Sequence, residues 1–132
     1  MLTGRVSLRF IHPTHDLNFL TSALGLPCRN SWVAGTPRTT LKGEPLPGVY
    51  RNSAWTSGQD FSITKGFVGP VMYLVGKLIQ YRKIVEDIVQ SGGTSSIYIQ
   101  LAGAKNNGGT IKSQTLKILG ELGVDLEIEV FP

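Results

Sequence analysis

An α+β fold is what the sequence predicts, and three observations predict it. Residues 6–11, 95–101 and 125–131 alternate apolar and polar side chains with the period of a strand that has one wet face. Other stretches carry apolar residues at helical spacing. The opening and closing segments also read as two copies of one strand–helix unit: Val6, Leu8 and Phe10 match Ile97, Ile99 and Leu101, and Leu24-Gly25-Leu26 matches Leu122-Gly123-Val124. Together these predict pseudo-duplicated strand–helix units, an antiparallel or mixed β-sheet with two to three helices packed on one face, and a single domain over residues 1–132.

The first strand turns Val6, Leu8 and Phe10 one way and Arg5, Ser7 and Arg9 the other, and Pro13 interrupts it. "THDLNFLTSALGL" then reads as a short helix with Thr14 or Asp16 as candidate cap, Leu17, Leu20 and Leu24 on one stripe, and Gly25 as a left-handed stop. From residue 28 to 63 the chain is rich in Trp, Val, Thr, Tyr and Ser, broken by "KGEPLPG", which predicts two strands and a loop. "GPVMYLVGKLIQYRKIVEDIVQSGG" predicts one long helix, started by Pro70 and stopped by Gly92, with Val71, Leu74, Val75, Leu78, Ile79, Val85, Ile88 and Val89 at helical spacings. Gly76 inside it costs about 1 kcal/mol relative to alanine and marks a bend or a close approach to the sheet. The last third reads as strand "SSIYIQL", flexible loop "AGAKNNGG", amphipathic helix "TIKSQTLKILGELGV" and closing strand "DLEIEVF". Each helix then buries its stripe on one face of the sheet. Arg5, Ser7, Arg9, Tyr98, Gln100, Glu127 and Glu129 are left on a second face that is polar, exposed and mixed in sign.

Composition narrows the function classes. Hydrophobic content of 41% and a charged fraction of 17% belong to an ordinary folded protein, and 16 glycines with 7 prolines to one rich in turns. The single cysteine, Cys28, forms no internal disulfide and no thiolate metal site, which fits a reducing compartment. No apolar run reaches the roughly 20 residues of a membrane span, and the N-terminus lacks the pattern of a signal peptide, so a cytoplasmic protein without membrane contact is expected. The net charge of +4 hides an asymmetry. Through Lys83 there are ten Lys or Arg against three Asp or Glu, and from Ile84 onward three against six. A basic first part is compatible with an acidic partner, nucleic acid included.

Catalytic patterns are missing where chemistry would need them. The two histidines, His12 and His15, sit in "HPTH" with no serine marked beside them and no third ligand for zinc. An arginine neighbour such as Arg29 can make a thiol like Cys28 reactive, but an inert small residue at a strand start is the plainer reading. Asp60 is isolated, and Glu86-Asp87 falls on the polar side of the long helix. "AGAKNNGGTIK" precedes a helix and could hold an anion with Lys105 or Lys112, yet its spacing matches neither nucleotide fingerprint. No cofactor, metal or catalytic residue is expected.

The most distinctive stretches are "RNSWVAG" and, twenty-two residues later, "RNSAWTSG", which place both tryptophans after the same lead-in. If the two form neighbouring strands, Trp32 and Trp55 lie on one face as a cross-strand pair. If the rings are exposed, Trp32 and Trp55 with Arg29, Arg38 and Arg51 make a binding patch for a protein surface or for stacked nucleotides.

The run of "DLNFLTSALGL", "SWVAGTPR", "SAWTS", a long helix, "SSIYIQLAG" and "LKILGELGVDLEIEVF" resembles the bacterial family catalogued as domain of unknown function 4279 over nearly the whole chain. The shared features are a leucine-rich helix ending in Leu-Gly, a Trp-x-x-Gly turn, a Trp-Ser-like strand and a Leu-Gly-x-x-Leu ending, which "SAWTS" follows with one departure. The family's name implies no established activity, and some relatives of this kind look like immunity proteins of bacterial toxin systems, which cover a toxin's active site. The expected function is accordingly a non-enzymatic protein-binding module, an inhibitor or immunity protein acting by steric occlusion, with Trp32, Trp55, Arg29, Arg38 and Arg51 as partner-binding residues. The alternative is a nucleic-acid-binding protein using its basic N-terminal part. A small-molecule enzyme would need His12, His15, Cys28 or Asp60 in one cleft. The final strand leaves an edge-to-edge dimer open, with Glu127 and Glu129 placed to discourage it.

Overall fold

In the computed structural model, which describes residues 3–62, 65–102 and 108–131, the chain runs β1 (Thr3–His12), α1 (Leu20–Leu24), β2 (Asn30–Trp32), β3 (Pro37–Thr39), β4 (Pro45–Val49), β5 (Ser53–Ser62), α2 (Val68–Gln80), α3 (Arg82–Gln90), β6 (Thr94–Ala102), α4 (Ser113–Leu122) and β7 (Val124–Phe131). Five strands form a mixed sheet in the order β2-β5-β1-β6-β7, and β3 and β4 form a separate hairpin. β1 is central, antiparallel to β5 and β6; β2 is antiparallel to β5, and β7 joins β6 in parallel after the α4 crossover. The fold is α+β.

Register explains the core. Val6 faces Ile99, Leu8 faces Ile97 and Phe10 faces Trp55 across the central ladders, so the alternate residues of three strands make one apolar surface. The helices cover it with Leu20 and Leu24 of α1, Val71, Leu74, Val75 and Leu78 of α2, Val85 and Ile88 of α3, and Leu119 and Leu122 of α4. Gly25 and Gly123 end α1 and α4 at φ 64° and 72°, the left-handed stops that both Leu-Gly motifs predict. Gly93 is required for a different reason: a Cβ there would lie 2.8 Å from the carbonyl oxygen of Ile88 and 2.9 Å from that of Ile11, where the end of α3 crosses β1.

Three local expectations are corrected. The long helix is two helices, broken at Tyr81 (φ −114°, ψ 32°) and not at Gly76, where a Cβ would touch nothing within 4 Å. The stretch from 28 to 63 holds four strands where two were expected, because "KGEPLPG" runs from the tip of the β3–β4 hairpin into its second strand. Asp16 does not cap a helix: its Oδ1 accepts the N–H of Asn18 at 2.8 Å, and α1 begins four residues after it, at Leu20.

Candidate functional site

The helices cover one side of the sheet, and the other side carries the polar alternates. At its centre Arg5, Ser7, Arg9 and Ile11 of β1 lie beside Ala54 and Thr56 of β5 and Tyr98 and Gln100 of β6. Together with Arg29, Asn30 and Trp32 at the β2 end they line a groove of about 410 Å³. Gly58 in β5 lets three of these side chains close in over the strand: a Cβ there would sit 3.2 Å from Nε of Arg29, 3.3 Å from Cδ of Arg5 and 3.3 Å from Oγ of Ser7. A glycine inside a strand signals such a close approach, and it was readable in the sequence.

Two networks hold the groove's charges. Arg5 Nε donates to Asp60 Oδ1 at 2.8 Å while Arg29 Nη2 stands 4.0 Å from the same oxygen. The hydrogen bond from Arg5, with the charges of both arginines, holds the Asp60 carboxyl below the usual carboxylate range despite partial desolvation. Toward β7, the Arg9 guanidinium lies 4.9 Å from the Tyr98 ring centroid and 3.8 Å from Glu127 Oε2, and the Tyr98 hydroxyl donates to Glu129 Oε2 at 2.6 Å. That hydrogen bond, together with desolvation and the charge of Glu129, raises the phenol's pKa. The face is therefore divided: arginines over β1 and beside β2, and a row of Asp125, Glu127 and Glu129 along β7.

The five residues singled out as partner-binding separate into three places. Arg29 and Trp32 line the groove. The Trp32 ring is half-buried and stacks on Tyr50 at 5.1 Å and 14°, so an aromatic pair stands where the hairpin leaves the sheet; nothing in the Arg-Asn-Ser-Trp motif marks Tyr50 as the partner. Arg38 is on β3, donating from Nη1 to the Pro47 carbonyl at 3.3 Å, and Arg51 is exposed beside Tyr50. Trp55 corrects the expectation: it is 0% exposed, packed against Phe10 with the rings tilted by 51° and 6.1 Å apart, with Nε1–H donating to Thr21 Oγ1 at 3.0 Å. A buried ring presents nothing to a partner. The two tryptophans do not share a face either, since Trp32 is opposite Ala54 and Trp55 is opposite Ser31.

The residues considered for chemistry do not converge. His12 and His15 stack at 3.9 Å, but His12 Nδ1 accepts the N–H groups of Thr14 (3.1 Å) and His15 (2.9 Å), which leaves the proton on Nε2 to be donated to Ser91 Oγ at 2.9 Å. Ser91 Oγ in turn donates to the Ile88 carbonyl at 3.1 Å, so the imidazole pins β1 to the end of α3. His12 faces Ser53 at one end of the β1–β5 ladder and Asp60 faces Arg5 toward the other. Cys28 is exposed. Among the described residues no group of three or more His, Cys, Asp or Glu is placed to hold a metal ion, and no helix is long and apolar enough to cross a membrane. The glycine-rich segment considered for anion binding falls largely outside the described residues; Lys112 immediately precedes α4. Comparison with family models, curated proteins and solved structures gave no match.

Proposed function

We propose that the chain is a non-enzymatic protein-binding module that occludes its partner, in the manner of an inhibitor or immunity protein, and that the open sheet face at the β2 end makes the contact. Trp32 carries this reading. Half-buried and stacked on Tyr50, its ring is already oriented, so burying it against a partner orders little that is free beforehand. Arg29 beside it adds a guanidinium that Asp60 satisfies only at 4.0 Å, and Trp and Arg are the residue types that dominate interface energetics. The hairpin next to the stack is exposed on both strands, with Leu41 at its tip 98% exposed, and gives the partner a second surface to grip. Arg38 and Arg51 belong to that part of the contact. The lone exposed Cys28 fits a reducing, cytoplasmic setting, and the bacterial family likeness fits an inhibitor.

Nucleic acid is the second reading, favoured by arginines and aromatics on an open sheet. Two features weigh against it: the Tyr98 ring is covered by Arg9, and the β7 carboxylates repel phosphate. Affinity capture with the tagged chain from its source lysate, with and without nuclease, separates the two. One stoichiometric protein surviving nuclease and high salt is expected, with affinity reduced about tenfold or more by Trp32→Ala or Arg29→Ala. Recovery of nuclease-sensitive material alone, or undiminished capture by both folded variants, overturns the proposal.

A further inference from the structure

β7 ends the sheet order, and among the described residues no strand lies beyond it. Its outer edge therefore carries backbone N–H and C=O groups without sheet partners. The strand pairs regularly with β6 from Val124 to Phe131, with none of the bulges that turn an edge away from an incoming chain. Its two faces carry opposite chemistry. On the helix side, Val124 is buried and Leu126 half-buried beneath α4, whereas Ile128 and Val130 are 61% and 60% exposed. On the open side stand Asp125, Glu127 and Glu129, the last two oriented by Arg9 and by the Tyr98 hydroxyl.

A second copy of this chain is a poor occupant. Two-fold antiparallel pairing keeps the faces aligned, so residues opposite one another must share parity. Every acid of β7 is at an odd position, so each such register that pairs more than the last three residues of the strand sets carboxylate beside carboxylate. The complementary occupant alternates Lys or Arg with Val, Ile or Leu. We infer that the outer edge of β7 takes up an extended segment of another protein, alternately basic and apolar, as an added strand: its cations lie beside Glu127 and Glu129 and its apolar residues beside Ile128 and Val130. This surface is at the opposite edge of the sheet from Trp32, so it goes beyond the occlusion contact and does not depend on it.

The test titrates the full chain with two short fluorescent peptides of identical composition, one alternating lysine with valine and one with the lysines and valines in separate blocks. Amide spectra are recorded in parallel. The alternating peptide is expected to bind about tenfold more tightly or better, with shifts concentrated on β7. Glu127→Lys with Glu129→Lys transfers the preference to a peptide alternating glutamate with valine, a reversal that structural damage would not produce. Ile128→Thr with Val130→Thr, which leaves the charges alone, weakens binding of the lysine peptide, and Trp32→Ala leaves it unchanged. Equal affinity for the two lysine peptides, shifts confined to the groove, or a charge-swapped variant that keeps its preference for lysine overturns the inference.

Discussion

Two backbone N–H groups, from Thr14 and His15, point at Nδ1 of His12, so this ring can gain a second proton only by giving up both contacts. Burial first, and then the neighbouring His15, lower its pKa below the ordinary histidine value. On the α3 side His12 meets the Ser91 hydroxyl, and Asp87, which lines a cleft with His15, is paired with Lys83 at 3.0 Å. A depressed histidine contributes its full stability above the unfolded pKa of about 6.5 and loses it as pH falls toward and through the folded value. Urea denaturation should therefore show stability declining below about pH 6.5, and His12→Asn, whose side-chain oxygen can replace Nδ1 as acceptor, should flatten that decline. One-residue differences also explain what could not be read at this scale. The first motif is Arg-Asn-Ser-Trp and the second Arg-Asn-Ser-Ala-Trp, and the extra Ala54 moves the second tryptophan to the opposite face of the sheet. A shared lead-in concealed opposite environments.

Among the elements, the β3–β4 hairpin is the one least tied to the rest. Its strands bury no residue, and its base is closed by Gly35 N–H to the Tyr50 carbonyl at 2.8 Å and Tyr50 N–H to the Thr36 carbonyl at 3.0 Å. A hairpin of two strands is marginal in water, so its own stability contributes little to the domain. Replacing residues 37–49 by a short glycine-containing turn should shift the melting temperature by no more than about 5 °C while weakening partner capture. The same exposure hid the hairpin from the sequence reading: with neither face buried there is no alternation to read, and "PRT" and "PLPGV" carry prolines that argue against strands. β1, β6 and the start of β7 were legible because each has one apolar side under helices. The break at Tyr81 was not, because Leu78, Tyr81, Val85 and Ile88 keep helical spacing straight through it.

Across the whole molecule, protection should follow the sheet order. β1, with a hydrogen-bonded neighbour on each side and Val6, Leu8 and Phe10 fully buried, should show the slowest amide exchange. The hairpin and the three-residue β2 should exchange fastest among the strands, and a measurement placing β2 with β1 would contradict the layout. The charge asymmetry of the sequence has a place in the same layout, since the basic first part supplies the arginines of the groove and the acidic last part supplies the β7 row. The central position of β1 also governs how the chain is made. It leaves the ribosome before its partners β5 and β6, the second of which begins at Thr94. Until then its apolar side and one or both of its edges have no cover, and the contacts that finally close the sheet join residues as distant as Arg5 and Gln100. Such long-range pairing makes for slow folding, about milliseconds to seconds, and a nascent chain halted before β6 would be a client for chaperones long before it could bind anything itself.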